Sequence, residues 1–377
     1  MSTTSIQSMV PSPRLRARAR PLVVVIIFLA AFVGFSAALE TMLPLPDVGD
    51  VSQKLAFYTR HKDEYNTVFV GSSRVYRQIA PAVFDRTLNA ANGPASHSLN
   101  MGAPSMFLPE SLFVIDRILA LKPARLQRLF IELDDPKLRA EEHAGLVRRE
   151  VYWHGPEETA LTCANILTAH SIRWLDRVSM LGHQVLLMVR RFTHLGRGWD
   201  LWSAFSSTSA PAETPPDETG LMGADRDGFA PYRATLGEGT DRKGGQADVK
   251  RYLADLAVLR ARREHPRRAQ RTTALLRWVL RRKLAALRAR GIEPFFVVAP
   301  VTTGEEGFLR LPAENVPATL LAFNDPNAYP ELYAVNARAD TIHLNERGSL
   351  LFTRLLAERV VALDRAPPHT APSHAVR

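Results

Sequence analysis

The chain has 377 residues, 46% of them hydrophobic, with a formal net charge of +10 and a single cysteine. That is enough apolar content to bury a sizeable core and too much for a disordered polymer, and the length suits one large domain or two small ones. One cysteine excludes an intramolecular disulfide framework, and the eleven histidines include no His-x-x-His or His-Glu-x-x-His pair, so neither a metal nor another cofactor is expected.

Residues 1–20 form a basic tail that carries Arg14, Arg16, Arg18 and Arg20. From Pro21 to Leu39 no residue is charged, and as a helix this run spans about 28 Å, enough to cross the hydrocarbon core of a bilayer. We read residues 21–40 as a transmembrane anchor. The arginines before it place the N-terminus in the cytoplasm and everything after residue 40 outside, which makes a single-pass protein of the inner (cytoplasmic) membrane with a periplasmic main domain. A cleaved signal peptide is the competing reading, because Ser36-Ala37-Ala38 has the form of a processing site.

A juxtamembrane stretch, 41–65, leads into strand-like and helix-like segments in alternation over 66–364. The strand signals are Thr67 to Val70, Ser98 to Leu99, Leu129 to Leu133 and Pro294 to Val298; helical periodicity fills Leu108 to Leu121 and Leu344 to Leu363. Such alternation predicts an α/β fold, a three-layer sandwich around a mostly parallel sheet. Catalytic groups would then collect at the carboxyl ends of the strands: Ser73, Asn100 and Gly102, Asp134, and Pro300.

Between about 140 and 245 the alternation breaks down into an amphipathic stretch, Ser171 to Thr193, and a Pro/Gly/Ser/Thr-rich run, which together predict an inserted helical and loop cap. Cys163 sits in an apolar context suited to packing. Much of the positive charge lies in Arg260 to Arg290, where Leu275, Leu276, Val279, Leu280, Leu284 and Leu287 recur at helical spacing, so the arginines form the solvated face of an amphipathic helix. The functional alternative for that face is contact with anionic lipid headgroups or an anionic envelope polymer. Nucleic acid is excluded as a partner by the outward topology, and residues 365–377 form a flexible tail.

Two short segments carry chemistry. "TVFVGSSRVYR" at Thr67 to Arg77 runs an apolar strand into a Gly-Ser-Ser turn, and "DTIHLN" at Asp340 to Asn345 sets an aspartate three residues before a histidine. A serine hydroxyl needs a neighbouring base, and an imidazole needs a carboxylate to hold its tautomer, so Ser73, His343 and Asp340 form a possible triad. Taken alone, each segment also has a capping explanation, in which the serine and the aspartate merely begin helices.

Taken together, these segments resemble the SGNH (GDSL-like) hydrolase superfamily, and more closely its membrane-anchored extracytoplasmic branch, which includes the D-alanine transfer protein of teichoic acid operons and the alginate O-acetylation proteins. The resemblance covers roughly 66–364 and implies an SGNH/flavodoxin-like fold. "VGSSR" matches the Gly-Asp-Ser block, making Ser73 rather than Ser72 the nucleophile. "NMG" matches the second block, so the Ser73 and Gly102 amides would form the oxyanion hole. "DTIHLN" matches the last block, with Asp340 as orienter and His343 as base. In the third block the family's asparagine donor is missing: the strand ends "IELDDP", and Glu132, Asp134 and Asp135 cannot donate when ionised.

The resemblance implies a serine acyl-esterase or O-acyltransferase acting on an envelope glycan or an acylated small molecule, with a membrane-bound O-acyltransferase as partner. The alternative is a non-catalytic scaffold of the same fold that binds polysaccharide or that partner. Candidate substrate contacts are Arg74 beside the serine, Asn100, His154 in "YWHG", and Asn324 and Asp325 in "FNDPNAYP". Each also has a structural reading: an ion pair for Arg74, a turn for Asn324 and Asp325, aromatic packing for the Tyr152-Trp153 neighbourhood of His154.

Overall fold

A computed structural model describes residues 13–43, 45–91, 95–133, 148–169, 172–198, 200, 202, 218–238, 242–264, 272–302 and 309–365. Asp134, Asp135, the tail after Arg365, the first 12 residues and much of the Pro/Ser-rich run lie outside the described residues.

The chain opens with helix α1 (Pro13–Met42) and helix α2 (Asp50–His61). Strand β1 (Thr67–Val70), helices α3 (Ser73–Gln78) and α4 (Pro81–Ala90), strand β2 (Ser98–Asn100), helix α5 (Leu108–Ala120) and strand β3 (Arg128–Glu132) follow. Then come helices α6 (Arg148–Trp153), α7 (Pro156–Thr168), α8 (Trp174–Phe192), α9 (Glu218–Met222), α10 (Arg242–Glu264) and α11 (Ala274–Arg288). Strand β4 (Glu293–Val298), strand β5 (Thr319–Ala322) and the last helix, α12 (Glu346–Arg365), close the fold.

The five strands form one sheet in the order β2-β1-β3-β4-β5, parallel at every junction, with Thr67 opposite both Ser98 and Arg128, and Arg128 opposite Glu293. This is a doubly wound order that reverses direction between β1 and β3, and the crevice of such a sheet opens at the carboxyl ends of those two strands. Strand β5 was not anticipated. Its sequence, "TLLA", is four residues long and has neither a β-branched core nor a clear alternation beyond its first residue.

Because side chains alternate across a strand, the apolar runs feed two separate clusters. Val68, Val70, Leu129, Ile131, Phe296 and Val298 pack with Leu55 and Tyr58 of α2, Leu112 and Ile115 of α5 and Leu280 and Leu284 of α11. Phe69, Phe130, Phe295 and Val297 pack with Phe84 of α4, Tyr252 and Leu256 of α10 and Phe352 and Leu356 of α12. Phe69, Phe130 and Phe295 stack across three adjacent strands at centroid separations of 4.7 and 4.8 Å, with Phe84 edge-on to the first two. Such pairs add about 0.5–1.5 kcal/mol each beyond their buried area.

The region between β3 and β4 contributes to both clusters. Met222 joins the first cluster and Leu236 the second, and Gly228 lies so close to β2 that a Cβ there would meet Asn100 O at 2.0 Å. The apolar part of α1, Pro21–Glu40, has a mean hydropathy of 2.9 and is almost wholly exposed. Among the described residues it is the one helix long and apolar enough to cross a membrane, a test that a signal sequence also passes. Its C-terminal end is tied to the domain. Glu40 pairs with Arg117 of α5 at 3.2 Å and Arg191 of α8 at 2.9 Å, and His194 bonds to Ser36 O.

Candidate active site

Strand β1 ends at Gly71, where the chain turns sharply because any side chain would collide with β3: a Cβ on Gly71 would lie 2.5 Å from Glu132 Cβ. The two serines of the turn divide the roles that the sequence left open. Ser72 is the cap of α3, its Oγ accepting the Arg74 N–H at 3.2 Å. Ser73, half-buried at the start of the helix, points its hydroxyl at the last segment of the chain.

Ser73 Oγ lies 2.8 Å from His343 Nε2, and His343 Nδ1 lies 2.8 Å from Asp340 Oδ2. A carboxylate can only accept, so Nδ1 carries a proton and Nε2 is left as acceptor for the serine O–H. Backbone hydrogen bonds brace the loop holding this pair. Asp340 Oδ1 accepts the backbone N–H groups of Ile342 and His343 at 2.7 and 2.6 Å. Burial alone would raise the Asp340 carboxyl; the His343 hydrogen bond and charge, with the two amides, outweigh it and hold the group below the ordinary carboxylate range.

Beneath the loop, the fully buried Arg338 donates to Pro300 O at 2.8 Å and Thr341 O at 3.3 Å, tying the end of β4 to the Asp340 turn. Its guanidinium faces the rings of Tyr252 and Tyr333. Tyr232, from the segment that returns out of the insertion, sets its ring edge-on to His343 at 5.2 Å, and Arg77 lies over the Tyr232 ring in turn. Neither Tyr232 nor Arg338 carries a sequence signal. Both reach the triad through long-range packing.

The end of β2 supports the turn. Asn100 is fully buried; its Nδ2 donates to Val75 O and Ile79 O at 2.7 Å, and its Oδ1 accepts the Gly102 N–H at 2.9 Å. The Gly102 N–H, expected to face an oxyanion together with the Ser73 amide, is engaged by Asn100 in this structure. Gly102 is still required by space, since a Cβ there would stand 2.5 Å from Tyr76 N. Lys54 of α2, wholly buried, donates to Asn100 O, Gly102 O and Gly228 O at 2.8–3.0 Å and sits over the Tyr76 ring. It binds the end of β2 to the returning segment, and no pattern in its own helix distinguishes it from a surface lysine.

Glu132, at the end of β3, is buried against Arg74 at 2.5 Å and accepts the Ser72 N–H at 2.6 Å. Arg74 is therefore part of an internal ion pair rather than a free substrate contact. The other weak candidates are engaged by partners outside the triad. His154 is buried between α6 and α8, bonded through Nδ1 to Glu150 O and through Nε2 to Gln184 at 2.6 Å, and stacked on Trp153. Burial lowers its pKa below that of an ordinary histidine. Asp325 makes a turn, accepting the Asn327 N–H at 2.9 Å, and the buried Asn324 offers its backbone carbonyl to Arg263. The carboxylates of Asp116, Glu157 and Glu158 approach one another, with Lys283 Nζ hydrogen-bonded to Asp116 and ion-paired with Glu157 at 3.0 Å.

The geometry can therefore deprotonate a serine hydroxyl at the crevice of a parallel sheet and stabilise the resulting imidazolium. Comparisons with protein-family models and with curated proteins give no match for this chain.

Proposed function

We propose that the protein is a membrane-anchored, extracytoplasmic serine enzyme of SGNH type that transfers or hydrolyses an ester-linked acyl group. The observation that carries this reading is the unbroken relay from Ser73 Oγ through His343 to Asp340, two hydrogen bonds of 2.8 Å. In the reaction, His343 Nε2 takes the hydroxyl proton as Ser73 attacks the acyl carbonyl. The C–O bond to the leaving alcohol breaks, and His343 returns the proton to that alcohol. The acyl-serine then passes to water or to an acceptor hydroxyl by the same steps, with the Ser73 amide facing the oxyanion. Helices against both sheet faces, in a three-layer arrangement, suit this assignment. The exposed α1 suits an anchor that holds the domain near an envelope glycan, and by resemblance a membrane O-acyltransferase would supply the acyl group.

A non-catalytic scaffold is the second reading, favoured by two observations: a buried Glu132–Arg74 pair occupies the third block, and the Gly102 amide is engaged. Incubating the full chain with an aryl acetate and measuring intact mass tests the choice. The enzyme reading expects an acetyl adduct that forms on the wild type and not on Ser73→Ala. A folded wild type that neither releases acetate nor acquires the adduct sinks it in favour of the scaffold.

A further inference from the structure

At the point where α1 leaves its apolar segment, a cavity of about 160 Å³ opens between α1, α5, α6 and α8. Arg117, Arg148, Arg190, Arg191 and Arg197 line it, against a single acidic lining residue, Glu40. Glu40 is shared by Arg117 and Arg191, and Asp200, just outside, pairs with Arg148 and Arg197. Among the described residues, five guanidinium groups thus share two carboxylates. Arg190 Nη1 is buried and has no hydrogen-bond partner among the described residues, and neither does Nδ1 of the neighbouring His194. A buried guanidinium N–H without a partner is costly, and an anion seated in this cavity would satisfy it.

The remaining walls are apolar: Leu43, Leu45, Val151 and Leu195. Outside the cavity the apolar surface continues. Along α8, Leu175, Val178, Val185, Leu186 and Val189 are exposed on one helical stripe, and Phe192 at its end packs edge-on against Phe32 of α1 at 6.2 Å. An arginine-rich cup with an apolar apron, set at the end of an exposed apolar helix, is complementary to an amphiphile with an anionic head.

We propose that this cavity binds the phosphodiester headgroup of an anionic lipid, with the acyl chains lying along α1 and the α8 stripe. The guanidinium groups would hold the phosphate oxygens by paired charge-assisted bonds, for which the planar fork of arginine is suited. The inference rests on α1 crossing a membrane and is independent of the chemistry at Ser73. Bound lipid would fix the height and tilt of the domain over the bilayer.

The test uses the full chain in a neutral detergent, titrated with short-chain phosphatidylglycerol, phosphatidylcholine of the same chain length, or inorganic phosphate, with thermal unfolding as readout. The proposal expects a saturable rise in Tm with phosphatidylglycerol alone, and a half-saturating concentration about tenfold higher or more in Arg190→Gln. Arg190 Nη1 has no partner to lose, so that variant keeps the basal Tm; native mass spectrometry of retained lipid on Arg148→Gln gives a second measure. An equal response to phosphatidylcholine, which has the same phosphodiester but a choline cation beside it, would show that no net anionic headgroup is required. Saturation by inorganic phosphate with no further gain from the lipid would make it a free-anion site. Either result, or an unchanged response in Arg190→Gln, overturns the proposal.

Discussion

Tyr232 sets its ring edge-on to the imidazole of His343, 5.2 Å between centroids, so the segment returning from the insertion forms one wall of the triad. Its backbone reinforces the contact, because Tyr232 O accepts the N–H of Glu346 at the start of α12. Replacing Tyr232 by Leu removes a ring contact worth about 0.5–1.5 kcal/mol, a small change in stability. Loosening the base is expected to slow reaction at Ser73 by about 10- to 100-fold. Comparing Tm with the rate of acyl-serine formation separates the two effects, and a large Tm loss with an unchanged rate would refute a positioning role.

Asp340→Asn should leave the loop folded and disable the relay. An amide can present its NH2 to Nδ1 and favour the wrong tautomer, at a cost on the order of 10⁴ in turnover. The pH sign follows from the depressed carboxyl: its stabilisation is present above the ordinary carboxylate pKa and is lost as pH falls through the lower folded value. Acid unfolding of wild type and Asp340→Asn should therefore converge below about pH 4, the ordinary carboxylate range.

Asp227 titrates in the opposite sense. Burial raises its carboxyl to about 6, despite the hydrogen bonds it accepts from Phe229 and Ala82. The folded state thus holds a proton that the unfolded state has released, and stability falls as pH rises from about 4 to about 6. Chemical denaturation across that window should show the decline in wild type and a flatter profile in Asp227→Asn. An identical slope in both would assign the titration elsewhere.

The Glu132–Arg74 pair is buried on both sides, with side-chain exposures of 2% and 9%. Arg74→Met leaves an unpaired buried carboxylate and should cost about 3–5 kcal/mol. Adding Glu132→Gln should recover part of that loss, since the amide oxygen still accepts the Ser72 N–H. Denaturant unfolding of the two single variants and the double measures the coupling, and strictly additive losses would contradict a direct pair.

Lys54→Met removes a donor from three carbonyls at once, and each orphaned acceptor costs about 1–3 kcal/mol. Amide exchange should accelerate at Gly102 and Gly228, the two loops that Lys54 joins. Faster exchange confined to α2 would instead show that the lysine serves its own helix alone.

The parallel sheet was legible where apolar runs were continuous: Thr67–Val70 and Glu293–Val298 are buried nearly throughout, the mark of strands covered on both faces. Strand β5, with only Leu321 fully buried, lacks that mark. The Asp340–His343 pair could be seen because both partners lie within three residues. The bond between the Gly102 N–H and Asn100 was not legible, because the direction of the Asn100 side chain depends on α3. Lys54, Glu132 and Tyr232 act through partners far away in the chain, and no local pattern encodes such contacts. The three carbonyls on Lys54 come from two separate segments.

Fluorophosphonate labelling of the full chain, with the adduct mapped by peptide mass spectrometry, tests the central claim most directly. An adduct is expected on Ser73 that survives Ser72→Ala and disappears in His343→Ala, since only a hydroxyl activated by the imidazole reacts. A folded chain that takes no label, or an adduct whose rate is indifferent to His343, would contradict it.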